Sequence, residues 1–79
     1  MTRVIIIGGG RGGFAILPLL LENHDIKIVR LVDKDKNAPA MQAAKKLGIP
    51  ASTNLEASIE KKDFDVVIDV TWSKMLTDF

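Results

Sequence analysis

Gly8, Gly10 and Gly13 stand in the spacing GxGxxG within the run Gly8-Gly9-Gly10-Arg11-Gly12-Gly13, directly after the apolar stretch Val4-Ile5-Ile6-Ile7. A carboxylate, Asp33, follows twenty residues after Gly13. The chemistry this pattern suits is the holding of a diphosphate ester by main-chain groups alone. Gly8 would allow the chain to turn sharply as it leaves a strand, and Gly10, lacking Cβ, would let the backbone touch the phosphates. Gly13 would bring the following helix close to the strand. Unpaired N–H groups of the first helical turn, at the positive end of the helix dipole, would then bind the anion without a charged side chain. Asp33 would accept hydrogen bonds from ribose hydroxyls. A carboxylate there bonds a free 2′-hydroxyl and repels a 2′-phosphate, which favours NAD over NADP, whereas Lys34 beside it would attract such a phosphate. A glycine-rich hairpin or linker is the plain alternative for the bare loop. The strand before it, the helix after it and the distance to Asp33 argue for the binding turn.

These groups require elements to carry them. Val4 to Ile7 reads as a buried strand, and residues from about Gly12 to Asn23 as a helix, with Pro18 predicting a kink or a split. On that helix Phe14, Leu17 and Leu21 share one face while Ile16, Leu19 and Leu20 point broadly the other way, so cover is expected on both sides. Ile26 to Val32, rich in β-branched residues, is a second strand with Asp33 at its C-terminal end. Asn37 is the expected cap of a helix running to Leu47, with Pro39 in its first turn, Ala40, Ala43, Ala44 and Leu47 as the buried stripe, and Gly48 as terminator. Ile49 to Ser52 is a weakly marked third strand. Thr53 and Glu56 form a capping box that opens a helix to about Lys62, with Leu55 and Ile59 facing inward. Val66 to Val70 is the fourth strand. Three crossovers that each contain a helix predict a parallel sheet with right-handed connections, in the order 3-2-1-4.

Length and composition narrow the classes. Seventy-nine residues, 47% hydrophobic and 27% charged with a net charge of +1, describe one small globular domain. That balance predicts neither a nucleic-acid partner nor an anionic membrane surface. The lack of cysteine removes disulfides, a thiol nucleophile and thiolate metal sites. Neither a signal-peptide core nor a membrane span is present in the pattern, so a cytoplasmic protein is expected. An apolar fourth strand with an open edge, beside a two-faced first helix, predicts either a homo-oligomer or a missing downstream domain.

With the glycine loop, Asp33, the turn Leu47-Gly48-Ile49-Pro50 and the strand Val66 to Val70 followed by Thr71, the chain resembles a known group over residues 3 to 72. It looks like the cofactor domains of the glucose-fructose oxidoreductase and inositol dehydrogenase family and of homoserine and aspartate dehydrogenases. It is similar as well to Rossmann-like modules at the N-terminus of some bacterial sensor kinases and regulators. The resemblance implies an α/β fold, a truncated Rossmann-like parallel sheet with helices on both faces, spanning residues 1–79. It also implies that Gly8, Gly9, Gly10, Gly12 and Gly13 line a pyrophosphate, with Arg11 near a phosphate or the adenosine side and Thr71 at the nicotinamide half. NAD is the expected cofactor, ahead of NADP. A P-loop is excluded because Gly13-Phe14 stands where lysine and a hydroxyl residue belong. FAD is less expected, because flavoproteins usually carry glutamate at the position of Asp33. A methyl-donor site lacks its acidic residue ahead of the glycines, where Ile6 and Ile7 stand.

The remaining polar residues have plain readings. His24 is a surface turn residue, Lys61 and Lys62 a solvated helix end, Asp69 either a strand-edge carboxylate or one pointing at the site, and Trp72 an interface aromatic. No acid, base or nucleophile stands in a plausible pocket, which predicts a cofactor-binding or ligand-sensing module without an active site of its own. The alternative is the cofactor half of an oxidoreductase whose catalytic domain is absent from this chain.

Overall fold

The computed structural model describes residues 1–71. Four strands, β1 (Thr2–Ile7), β2 (Ile26–Val32), β3 (Ala51–Ser52) and β4 (Val66–Asp69), form one sheet in the order β3-β2-β1-β4. Every neighbouring pair is parallel. Parallel neighbours need long crossovers. These contain α1 (Arg11–Leu21), α2 (Pro39–Leu47) and α3 (Leu55–Glu60). The predicted order and strand direction are therefore found.

β1 is central, and its continuous apolar run is explained by cover on both faces: Val4, Ile5 and Ile6 are all buried. The pairing of β1 with β2 slips by one residue, so that Val4 lies beside Ile28 but Ile5 beside Arg30. Val29 is the extra residue of this bulge. The slip places Ile28 and Leu31, three residues apart, on the same face as Val4 and Ile6, where they meet Leu17 of α1 and Ala40, Met41 and Ala44 of α2 in the main core. Arg30 turns to the opposite face, where its guanidinium bonds the Ser58 carbonyl at 3.0 Å and Asp63 at 2.7 and 3.1 Å. The two faces thus carry α1 and α2 on one side and α3 on the other.

Several local expectations shift by a residue or so. α1 is unbroken, so Pro18 does not split it, and Pro18 lies on the exposed side where water can serve the carbonyl its missing N–H leaves free. Of the two apolar faces of α1, Gly13 and Leu17 are buried, whereas Phe14, Leu19 and Leu21 remain exposed. Asn37 does not cap α2. The N-cap is Ala38, and the N–H of Ala40 donates instead to the carbonyl of Gly9 at 2.8 Å, a cap supplied by the glycine loop across the fold. Met41 takes a place in the buried stripe, and Leu47 is exposed. The cap of α3 is Asn54, whose side chain accepts from the Ala57 N–H at 3.0 Å, one residue after the expected Thr53. Leu55 is exposed, while Ser58 is buried. Gly48 ends α2 in the left-handed conformation, φ +75°, as expected.

The entry to β4 is pinned to β1 at the surface. Arg3 donates from its Nε and terminal nitrogen to both oxygens of Asp65, its backbone N–H donates to the same carboxylate, and the Asp65 N–H donates to the Arg3 carbonyl. The Arg3 side chain and backbone N–H hold the Asp65 carboxyl down from its usual 3.8 to about 2. Among the described residues no helix is long and apolar enough to cross a membrane.

Candidate functional site

β1 ends at Ile7 and the chain turns at Gly8, whose φ of +113° lies in a region that side-chain-bearing residues rarely adopt. Gly10 is the N-cap of α1, and a Cβ built there would meet nothing within 4 Å. It borders open space, as a residue that admits a ligand to the backbone must. A Cβ on Gly13 would fall 1.9 Å from the Gly8 carbonyl oxygen, so α1 packs against the end of β1 more closely than any side chain permits. The turn at Gly8 and the close packing at Gly13 are those expected of the motif.

The resemblance set Gly9 and Gly12 along the pyrophosphate with the other glycines, and the structure adds a packing reason for each. A Cβ on Gly12 would lie 2.6 Å from the Val70 carbonyl oxygen, because the chain leaving β4 crosses the first turn of α1. A Cβ on Gly9 would press on Met41, Asp33 and Ala38 at 2.9 to 3.1 Å. The loop is therefore gripped on one side by the segment joining β2 to α2 and on the other by Val70 and Thr71. Only long-range proximity creates these demands, so no local pattern could have announced them.

The N–H groups divide accordingly. That of Gly8 donates to the Val32 carbonyl at 2.8 Å and that of Gly9 to the Asp33 carboxylate at 2.5 Å. Those of Gly10, Arg11, Gly12 and Gly13 have no hydrogen-bond acceptor among the described residues. The main-chain donors at the start of α1 are thus these four rather than the whole run from Gly8. The Arg11 side chain is exposed beside them.

Asp33 sits half-buried at the end of β2, adjoining the loop, and its other carboxylate oxygen accepts from the Asp35 N–H at 2.8 Å. Lys34 is exposed next to it. Across the cleft, the Thr71 hydroxyl and N–H donate to one oxygen of Asp69 at 2.6 and 2.9 Å. Those two bonds hold the Asp69 carboxyl below its ordinary range. Ile7, Gly8, Val32, Asp33, Lys34, Thr53, Leu55, Asp69 and Thr71 together line a cleft of about 550 Å³ beyond the carboxyl ends of the strands. Open α/β sheets bind their ligands in this crevice. A neighbouring hollow of about 580 Å³, lined by Lys36, Asn37 and Lys45 among others, does not reach the glycine loop.

His24 is exposed in the turn before β2, at the opposite end of the sheet from this cleft. Lys61 and Lys62 are exposed after α3. Trp72 lies outside the described residues. No group of acidic or histidine side chains suited to a metal ion occurs among the described residues.

A glycine cradle open at Gly10, four unpaired N–H groups at a helix start, and a carboxylate at the end of the adjacent strand suit the diphosphate and ribose of a dinucleotide. These parts define a Rossmann-type NAD(P)-binding domain. The chain belongs to the family of dihydrodipicolinate reductase N-terminal domains, whose model matches residues 2–79. The match agrees in class with the resemblance drawn from the sequence and names a different family within that class. No curated protein matches the chain. Among solved structures, the chain is similar to phosphoribosylglycinamide formyltransferase from Coxiella burnetii, determined in complex with CHES, with a TM-score of 0.64 at 16% identity. The likeness covers 87% of this chain and 40% of that one, and it is one of fold.

Proposed function

We propose that this domain is the cofactor half of an NAD(P)-dependent reductase and that it binds the dinucleotide across the carboxyl ends of β1, β2 and β4. The observation that carries the reading is the cradle itself: Gly10 facing open space, Gly13 locked on Gly8, and Gly8 and Asp33 lining the adjoining cleft. The N–H groups of Gly10, Arg11, Gly12 and Gly13 would hold the diphosphate, with Arg11 adding charge from the exposed side. Asp33 would accept from the adenosine ribose, which favours NAD, and Lys34 would moderate that preference by attracting a 2′-phosphate. Thr71 and Asp69 would border the nicotinamide half. The cofactor supplies hydride chemistry when bound, while these residues bind, orient and exclude water. Groups that hold and protonate a substrate would come from residues beyond those described here, in a further domain or in a second subunit.

A second reading is a ligand-sensing module with no chemistry of its own, in which Asp33, Lys34 and Asp69, the ionisable side chains lining the cleft, all serve to hold the ligand. Calorimetric titration with NADH, NAD and NADPH tests the binding that both readings share. The expected result is saturable binding with NADH tighter than NADPH, and failure of all three to saturate at millimolar concentration would refute it. Hydride transfer to an added unsaturated acid by the protein with its neighbouring domains separates the reductase from the sensor.

A further inference from the structure

Gly9 is held at both of its polar atoms by the same segment of chain. Its N–H donates to Asp33 Oδ2 at 2.5 Å, and its carbonyl accepts from the Ala40 N–H at 2.8 Å. Met41, Asp33 and Ala38 close around its Cα, and the residue is buried. The second Asp33 oxygen is tied to the Asp35 N–H, which fixes the carboxylate in the orientation that reaches Gly9. A buried N–H that loses its acceptor is costly, so the peptide at Gly9 would have to turn to find water. Gly10 to Gly13 follow it directly, and their unpaired N–H groups would lose their common direction.

We propose that Asp33 is a positioning residue for the diphosphate-binding loop as well as the acceptor for ribose. The inference rests on the dinucleotide reading above and deepens it. Its consequence has a definite sign. Were Asp33 only a ribose acceptor, removing a negative charge beside an anionic ligand would tighten the binding of a diphosphate that has no ribose. As a brace, Asp33 makes that same removal weaken it.

The test is a comparison of the wild-type chain with Asp33→Ala and Asp33→Asn, using nitrogen-15 NMR and two probes, inorganic pyrophosphate and NADH. In the ligand-free wild type the Gly9 amide is expected to exchange with solvent roughly tenfold more slowly than in Asp33→Ala, since local opening no longer has to break a bond to the carboxylate. Pyrophosphate affinity is expected to fall about fivefold or more in Asp33→Ala, at constant ionic strength because such binding is screened by salt. Asp33→Asn should fall between the two, because its amide oxygen keeps an acceptor for Gly9. Equal Gly9 exchange in wild type and Asp33→Ala, or tighter pyrophosphate binding by Asp33→Ala, overturns the proposal and leaves the dinucleotide reading standing. A wild-type chain that binds neither probe overturns both.

Discussion

The contact of α1 with the end of β1 makes Gly13→Ala a severe test of how the site is built. A Cβ at residue 13 would sit 1.9 Å from the Gly8 carbonyl oxygen, whereas real Cβ atoms essentially never approach within 3.0 Å, so the helix must retreat by about 1.1 Å. The obstacle is backbone and cannot rotate away. A gap of 0.5–1 Å already forfeits about a quarter to a half of the dispersion attraction of the atoms that part. Leu17, which α1 buries against the sheet, shares in that loss. The expected cost is about 3 kcal/mol or more. The whole stability of a 79-residue domain is on the order of 4–12 kcal/mol. Gly10→Ala is the matched control, since its Cβ would enter open space. Its loss of N-cap preference and its gain from a less flexible unfolded chain largely offset, leaving stability within about 1 kcal/mol. Its methyl group nevertheless stands where the diphosphate approaches, and NADH affinity should fall at least about tenfold. Urea denaturation of both variants, with calorimetric titration of whichever folds, measures the two effects. A Gly13→Ala protein of wild-type stability, or a Gly10→Ala protein that binds NADH normally, would refute the geometry from which both effects are argued.

Four further outcomes follow from the same structure. Because Asp65 titrates at about 2 when folded and near 3.8 otherwise, its contribution is present above pH 4 and lost as pH falls through 2. Asp65→Asn should lack that part of the acid dependence in a pH-resolved denaturation series, and an unchanged acid limb would refute the assignment. Asp63→Ala leaves the buried Arg30 guanidinium with the Ser58 carbonyl alone and should lower the unfolding midpoint more than Arg30→Met does; thermal unfolding that reversed this order would contradict it. Lys34→Glu should weaken NADPH by at least about threefold and leave NADH within about twofold by fluorescence titration, and an equal loss for both would remove Lys34 from 2′-phosphate recognition. Phe14, Leu19, Leu21, Val66 and Val67 are exposed, so sedimentation equilibrium of the chain should show self-association, and a monomer at high concentration would refute it.

The chain's local grammar set the succession of strands and helices, the parallel sheet, the turn at Gly8 and the close helix–strand packing at Gly13. Each of these depends on neighbouring residues, on periodicity, or on the length a parallel crossover needs. Tertiary packing decided the rest. The caps moved to Ala38 and Asn54 because Gly9, distant in sequence, supplies the acceptor for the start of α2, and because Asn54 has its side chain where the first turn of α3 needs it. The bulge at Val29 turned Arg30 away from the main core and towards Asp63, which no alternating pattern announces. Gly9 and Gly12 are required by Asp33, Met41 and Val70, residues brought against the loop only when the sheet assembles. Periodicity and turn chemistry act over a few residues and can be read along the chain, whereas steric exclusion and hydrogen-bond pairing between distant segments exist only once those segments meet.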